Sequence, residues 1–97
     1  MDKNFLNKVV MPIVFVPSLM QKLCDGEQKL VIEGTNLRQI IDNLDSEYSG
    51  FKERLVEDGK IKPNISVAVD GEITPLGMIQ KVGPDSEVHF LPAISGG

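Results

Sequence analysis

Leu37, Ile40, Ile41, Leu44 and Tyr48 recur at i, i+3, i+4, i+7 and i+11, the cleanest periodic pattern in the chain. That spacing lines one face of an α-helix, and Arg38, Asp42, Asn43 and Asp45 fall elsewhere around it. Gly34-Thr35-Asn36 reads as the helix start, with Thr35 as the N-cap, because a hydroxyl there can accept from an orphaned backbone N–H. Ser49-Gly50 closes the helix. One amphipathic helix cannot bury its own stripe, so the rest of the chain must build the surface that covers it.

The rest reads as short strands. Val9 to Val16 is β-branched, apolar on both faces and bounded by Pro17. Pro12 has no ladder donor, which places it near the strand start or at a bulge. Cys24-Asp25-Gly26-Glu27 is turn chemistry, and Gln28 to Glu33 returns as a second strand, making a hairpin. Phe51 to Leu55 adds a further helical turn, and Glu57-Asp58-Gly59-Lys60 reads as loop. Asn64 to Val69 alternates, Asp70-Gly71 turns, and Glu72-Ile73-Thr74 is a short return strand. Pro75 to Val82 is short irregular or helical structure, and Gly83-Pro84-Asp85-Ser86 turns again. Glu87 to Leu91 is the last strand, with Val88 and Phe90 inward and Glu87, His89 and Leu91 outward. Pro92 ends it. Hairpin, helix, then further strands predicts an α+β domain, a mixed sheet of about five strands with one main helix on one face. The order resembles the β-grasp, or ubiquitin-like, fold. Residues 1–8 form an N-terminal extension, 9–92 the domain and 93–97 a flexible tail.

Ninety-seven residues suffice for one domain with one modest core. The net charge of −4 disfavours nucleic acid and anionic membrane as partners and suits a partner with a basic docking surface. A single cysteine, Cys24, allows neither an intramolecular disulfide nor a cysteine metal cluster. No stretch approaches the ~20 apolar residues of a membrane span. Met1-Asp2-Lys3-Asn4 does not open a signal peptide, so the cytoplasm is the expected compartment.

The end of the chain, Ser95-Gly96-Gly97, points to chemistry. Two glycines have no side chains and wide backbone freedom, so such a tail can thread a narrow channel and present its carboxylate to another protein. A frayed, unimportant terminus is the plainer alternative. With Gly34-Thr35-Asn36-Leu37, Asp70-Gly71-Glu72, Gly83 to Val88 and Leu91-Pro92-Ala93-Ile94-Ser95-Gly96-Gly97, the chain resembles the MoaD/ThiS family of sulfur carriers. Val16-Pro17-Ser18-Leu19 and Tyr48 to Leu55 are similar to its CysO branch, which serves cysteine biosynthesis.

The resemblance implies a cycle at Gly97. An ATP-dependent adenylyltransferase of the ubiquitin-activating type adenylates the terminal carboxylate, and a sulfur donor converts the product to a thiocarboxylate. In the cysteine branch a PLP-dependent synthase uses that sulfur, and a zinc-dependent peptidase releases the amino acid. Gly96 and Ser95 thread the partner's channel. Phe15, Ile73, Leu91, Pro92 and Ile94 are the expected interface, because family members dock the activating enzyme through apolar residues on the open sheet face. The carrier has no catalytic residue, bound cofactor or metal of its own on this reading. Molybdopterin and thiamin sulfur transfer remain alternatives, as do a ubiquitin-like protein modifier and an inert β-grasp binding module.

Other residues read more plainly. His89, the sole histidine, lacks the convergent partners of a catalytic or metal site and is expected to be solvated or at an interface. Nothing near Cys24 in sequence would clearly lower its pKa, and the C-terminal route needs no thiol. Asp42, Asp45, Glu47, Glu53, Glu57 and Asp58 read as a solvated helix and loop face, with partner docking as the second reading.

Overall fold

Pro12 sets where the first strand begins. Its ring nitrogen has no hydrogen to donate, but its carbonyl accepts from Ile32 N at 3.0 Å. The computed structural model describes residues 11–92, so Val9, Val10, the expected extension and the expected tail lie outside the described residues. Strand β1 spans Ile13–Phe15, and β2, Lys29–Val31, lies antiparallel to it. Both are shorter than the strands predicted, Val9 to Val16 and Gln28 to Glu33. Between them Ser18–Cys24 forms a 3-10 helix that the sequence reading did not anticipate. It buries Met20 and Cys24, so Cys24 is a core residue and not a turn residue. Asp25, left-handed at φ 57°, stops that helix.

Helix α1 spans Leu37–Glu47, and Leu37, Ile40, Ile41 and Leu44 are all fully buried. Its cap differs from expectation by one residue. Asn36 Oδ1 accepts from Gln39 N at 2.9 Å, while Thr35 N and Oγ1 donate back to Gln39 Oε1 at 2.8 and 3.0 Å. The pair forms a variant of the capping box, in which the amide acceptor at 36 displaces the hydroxyl at 35. Gly34 lets the chain pass close to this helix. A Cβ there would meet Ile40 Cδ1 at 2.9 Å and Ile40 N at 3.0 Å.

Helix α2, Phe51–Leu55, follows a tight corner. Asp45 Oδ1 accepts from Gly50 N at 3.1 Å and Lys52 N at 3.0 Å, satisfying donors at the start of α2. The expected loop at 57–60 is instead a hairpin, β3 (Val56–Glu57) and β4 (Lys60–Ile61). Asp58 and Gly59 turn it with φ of 54° and 74°, the positive pair that a two-residue hairpin favours. Strands β5 (Ile65–Val69) and β6 (Glu72–Ile73) form the next hairpin, and a 3-10 turn covers Gly77–Ile79. Strand β7 spans Glu87–Pro92.

The main sheet runs β2-β1-β7-β5-β6. β7 lies at its centre, parallel to β1 and antiparallel to β5. This is the β-grasp arrangement, a mixed five-stranded sheet holding one main helix. Val14, Val67, Val88 and Phe90 face α1 and join Ile40, Ile41, Leu44, Phe51 and Leu55 in one core.

Candidate functional site

Central placement of β7 gives its outward residues neighbours on both sides. Register fixes a row across all five strands: Lys29, Phe15, His89, Ala68 and Ile73. At about 4.8 Å per strand the row is about 19 Å wide. Its residues alternate with the core residues Val14, Val88, Phe90 and Val67, so they lie on the face opposite α1. Leu91 lies two residues beyond His89 on the same face, paired with Ser66. Ile73 is 58% exposed and Leu91 42%, whereas inward Val88 and Phe90 are buried. The inward–outward alternation read from the sequence of β7 therefore describes the strand.

Aromatic stacking organises the middle of this face. The Phe15 and His89 rings lie 4.0 Å apart and nearly parallel, at 6°. Lys29 Nζ sits 5.3 Å from the Phe15 centroid, within cation–π range. His89 Nε2 is 3.8 Å from Glu87 Oε1 on its own strand. Sequence reasoning placed Phe15 and His89 on an outer face separately. It missed that the parallel β1–β7 pairing puts them side by side, because pairing partners are not written in either strand.

A polar lock fixes the register of β7. Asp70, left-handed at φ 53°, accepts from Ser86 Oγ at 2.8 Å and from Glu87 N at 2.9 Å. Ser86 Oγ in turn accepts from Gly83 N at 2.9 Å. The Asp70-Gly71 turn and the Gly83-Pro84-Asp85-Ser86 turn are thereby one structure. Ser86 is the one buried polar residue of the described chain, and these bonds satisfy it. The sequence contained both turns but not their contact.

Of the expected interface residues, Phe15, Ile73 and Leu91 share the open face. Pro92 pairs with Ile65 and has the opposite parity, so it stands at the end of the helix-side face. Ile94, Ser95, Gly96 and Gly97 lie outside the described residues. Cys24 is fully buried, with Sγ 3.4 Å from Glu27 O and 3.5 Å from Gln21 O. Burial pushes its thiol above the ordinary range. The hydrogen bond with the Glu27 backbone acts in the opposite direction, and the charges of Glu27 and Asp25 push it further up. Such a thiol is a poor nucleophile at neutral pH. Asp45 is not simply solvated, since it caps α2, and Asp42 pairs with Lys52 at 2.9 Å. Among the described residues no group of three or more His, Cys, Asp or Glu could hold a metal ion. Among them, too, no helix is long and apolar enough to cross a membrane.

Comparison with known proteins agrees with this architecture. The model of the ThiS family matches residues 15–97. A chain of the Amycolatopsis orientalis BexX/CysO complex superposes with a TM-score of 0.85 at 30% identity, covering 89% of this chain and 99% of that one. The sulfur carrier protein CysO of Mycobacterium tuberculosis is 27% identical over 89 residues, 87% of this chain and 96% of its own length. Small archaeal modifier protein 3 of Haloferax volcanii is 32% identical over 69 residues, 69% of this chain and 75% of its own. These relatives are named as carriers and a modifier, not as catalysts. With a β-grasp sheet, a central last strand and a family match that runs through the diglycine, the chain belongs to the ThiS family of ubiquitin-like sulfur carriers.

Proposed function

We propose that Gly97 is the sulfur-bearing residue and that the sulfur goes to cysteine or a related thiol amino acid. A carboxylate oxygen of Gly97 attacks the α-phosphorus of ATP on a separate activating enzyme, and pyrophosphate leaves. A reduced sulfur donor then attacks the acyl carbon and AMP departs, leaving a thiocarboxylate. Adenylation is needed because a carboxylate has no adequate leaving group. A PLP-dependent synthase then joins this sulfur to the amino-acid skeleton, and a zinc-dependent peptidase frees the product and restores Gly97. The observation that carries the reading is the family match through Ser95-Gly96-Gly97. Similarity to CysO over 96% of its length supports the cysteine branch.

In this reading the row around Phe15, His89 and Ile73, with Leu91 beside it, docks the activating enzyme while Ser95 and Gly96 thread its channel. The polar lock at Asp70 holds β7, the strand that precedes the tail in the chain, in register. A second reading, attachment of Gly97 to lysine amines of other proteins, is favoured by the 32% identity to an archaeal modifier. Both begin with the same adenylate and differ in the nucleophile that follows. Incubation with the activating enzyme, ATP and a sulfur donor tests the proposal, read by intact mass. A thiocarboxylate on the free chain supports sulfur transfer, and an isopeptide to lysine with no thiocarboxylate supports the modifier reading.

A further inference from the structure

The helix-side surface carries a second apolar site, separate from the open sheet face. The Gly77–Ile79 turn is 3-10, with Ile79 N bonded back to Leu76 O at 3.4 Å. Residues three apart eclipse in that geometry, so Leu76 and Ile79 fall on one side of the turn. They are 53% and 73% exposed, although Met78 between them packs against the core. Two adjoining hollows flank this turn, of about 570 and 430 Å³, and share Gly59, Met78 and Ile79 in their walls. Helix α1, the start of α2 and the β3–β4 hairpin supply the other walls, so the groove stands on packed elements.

Its charge runs against that of the molecule. The chain has a net charge of −4. The groove walls nevertheless carry Arg38, Lys52 and Lys60 against one acid, Asp42. Asp42 is already matched by Lys52 at 2.9 Å. Neither Arg38 nor Lys60 forms an ion pair among the described residues. Glu57 lies opposite Lys60 across the β3–β4 pair without forming an ion pair with it, and neither Glu57 nor Asp58 lines the groove. Exposed Leu76 and Ile79 call for an apolar group to cover them, and Arg38 and Lys60, which form no ion pair among the described residues, call for carboxylates beside it.

We propose that this groove docks a protein partner through a short segment that presents a large apolar side chain flanked by Asp or Glu. The apolar side chain covers Leu76 and Ile79, and the flanking carboxylates meet Arg38 and Lys60. Because the site lies on the helix side, the partner is held while the open sheet face stays free for another protein. The inference does not rest on the sulfur chemistry at Gly97.

The test is a titration of the isotope-labelled full chain with a synthetic peptide of leucines flanked by aspartates, followed by amide chemical shifts. The same peptide with asparagines in place of the aspartates is the control. Shifts should centre on Arg38, Lys52, Gly59, Lys60 and Ile79 and leave Phe15, His89 and Leu91 unmoved. Ile79→Asp should weaken binding about tenfold or more and Lys60→Gln severalfold, both at exposed positions and with an unchanged melting temperature. Added salt should weaken the aspartate peptide more than the control. The proposal is overturned if no groove amide shifts at millimolar peptide. It is equally overturned by shifts confined to the open sheet face, or by equal binding of the asparagine peptide.

Discussion

Replacing Leu91 with Asp should detach the chain from its activating enzyme without unfolding it. Leu91 keeps 42% of its surface exposed on the open face. Complete burial of a leucine side chain is worth about 1.5–3 kcal/mol, so covering the remaining surface on docking gains about 0.6–1.3 kcal/mol. Asp forfeits that gain and adds a carboxylate desolvated against an apolar contact, which costs about 1–3 kcal/mol when unpaired. The sum is about 2–4 kcal/mol, a Kd raised about 30- to 700-fold. Leu91→Ala, which loses only the apolar gain, should cost about 1 kcal/mol. Calorimetric titration against the activating enzyme, with a thermal melt of each variant, checks this order. A folded Leu91→Asp chain that binds as the parent does would refute docking through this face. A large drop in melting temperature would instead refute the outward placement of Leu91.

Three further outcomes follow from the packing. Gly34→Val should cost about 1–3 kcal/mol and lower the melting temperature by several degrees or more, because its Cβ would meet backbone and side chain of Ile40 near 3 Å. Asp70→Ala should destabilise by about 1–3 kcal/mol, since it strips the acceptors from Ser86 Oγ and Glu87 N and leaves a left-handed alanine. Asp70→Asn, which keeps an acceptor and tolerates that backbone, should cost less in the same denaturant titration. Cys24 has its folded pKa raised, so the unfolded chain loses the thiol proton first. Stability should therefore fall as pH rises above the ordinary thiol value of about 8.5, and Cys24→Ser should remove that dependence. A denaturation series across alkaline pH that shows no difference between the two chains would contradict the buried thiol.

Sequence and structure agree for helix α1 and for the alternation of β7, where one element's own pattern settles the matter. The stripe from Leu37 to Leu44 needs no partner to declare itself, and its four residues are fully buried. Alternation in β7 likewise separated Val88 and Phe90 from Leu91. The misses share another character. The β3–β4 hairpin has strands of two residues, too short for alternation to register, although Asp58-Gly59 is the same turn chemistry as Asp70-Gly71. The Ser18–Cys24 helix lacks a capping side chain and a long stripe, so nothing local announced it. Thr35 and Asn36 are both competent caps, and one residue of backbone placement decided between them. At the candidate site each component was visible alone. The Phe15–His89 stack and the Asp70–Ser86 lock join residues far apart in the chain, and only the sheet topology brings them together.

The central claim is that sulfur resides on the Gly97 carboxylate, and intact mass measured after loading tests it most directly. The chain is incubated with its activating enzyme, ATP and a sulfur donor, then fragmented. The account predicts a gain of about 16 Da, one oxygen exchanged for sulfur, confined to the last peptide. Cys24→Ser should load as the parent does. Deletion of Gly97, or Gly96→Val, should abolish the gain while stability stays within about 0.5 kcal/mol, because the core of the described residues is complete between Val14 and Phe90. Sulfur recovered as a persulfide on Cys24, or undiminished loading of the Gly97-deleted chain, would contradict the account.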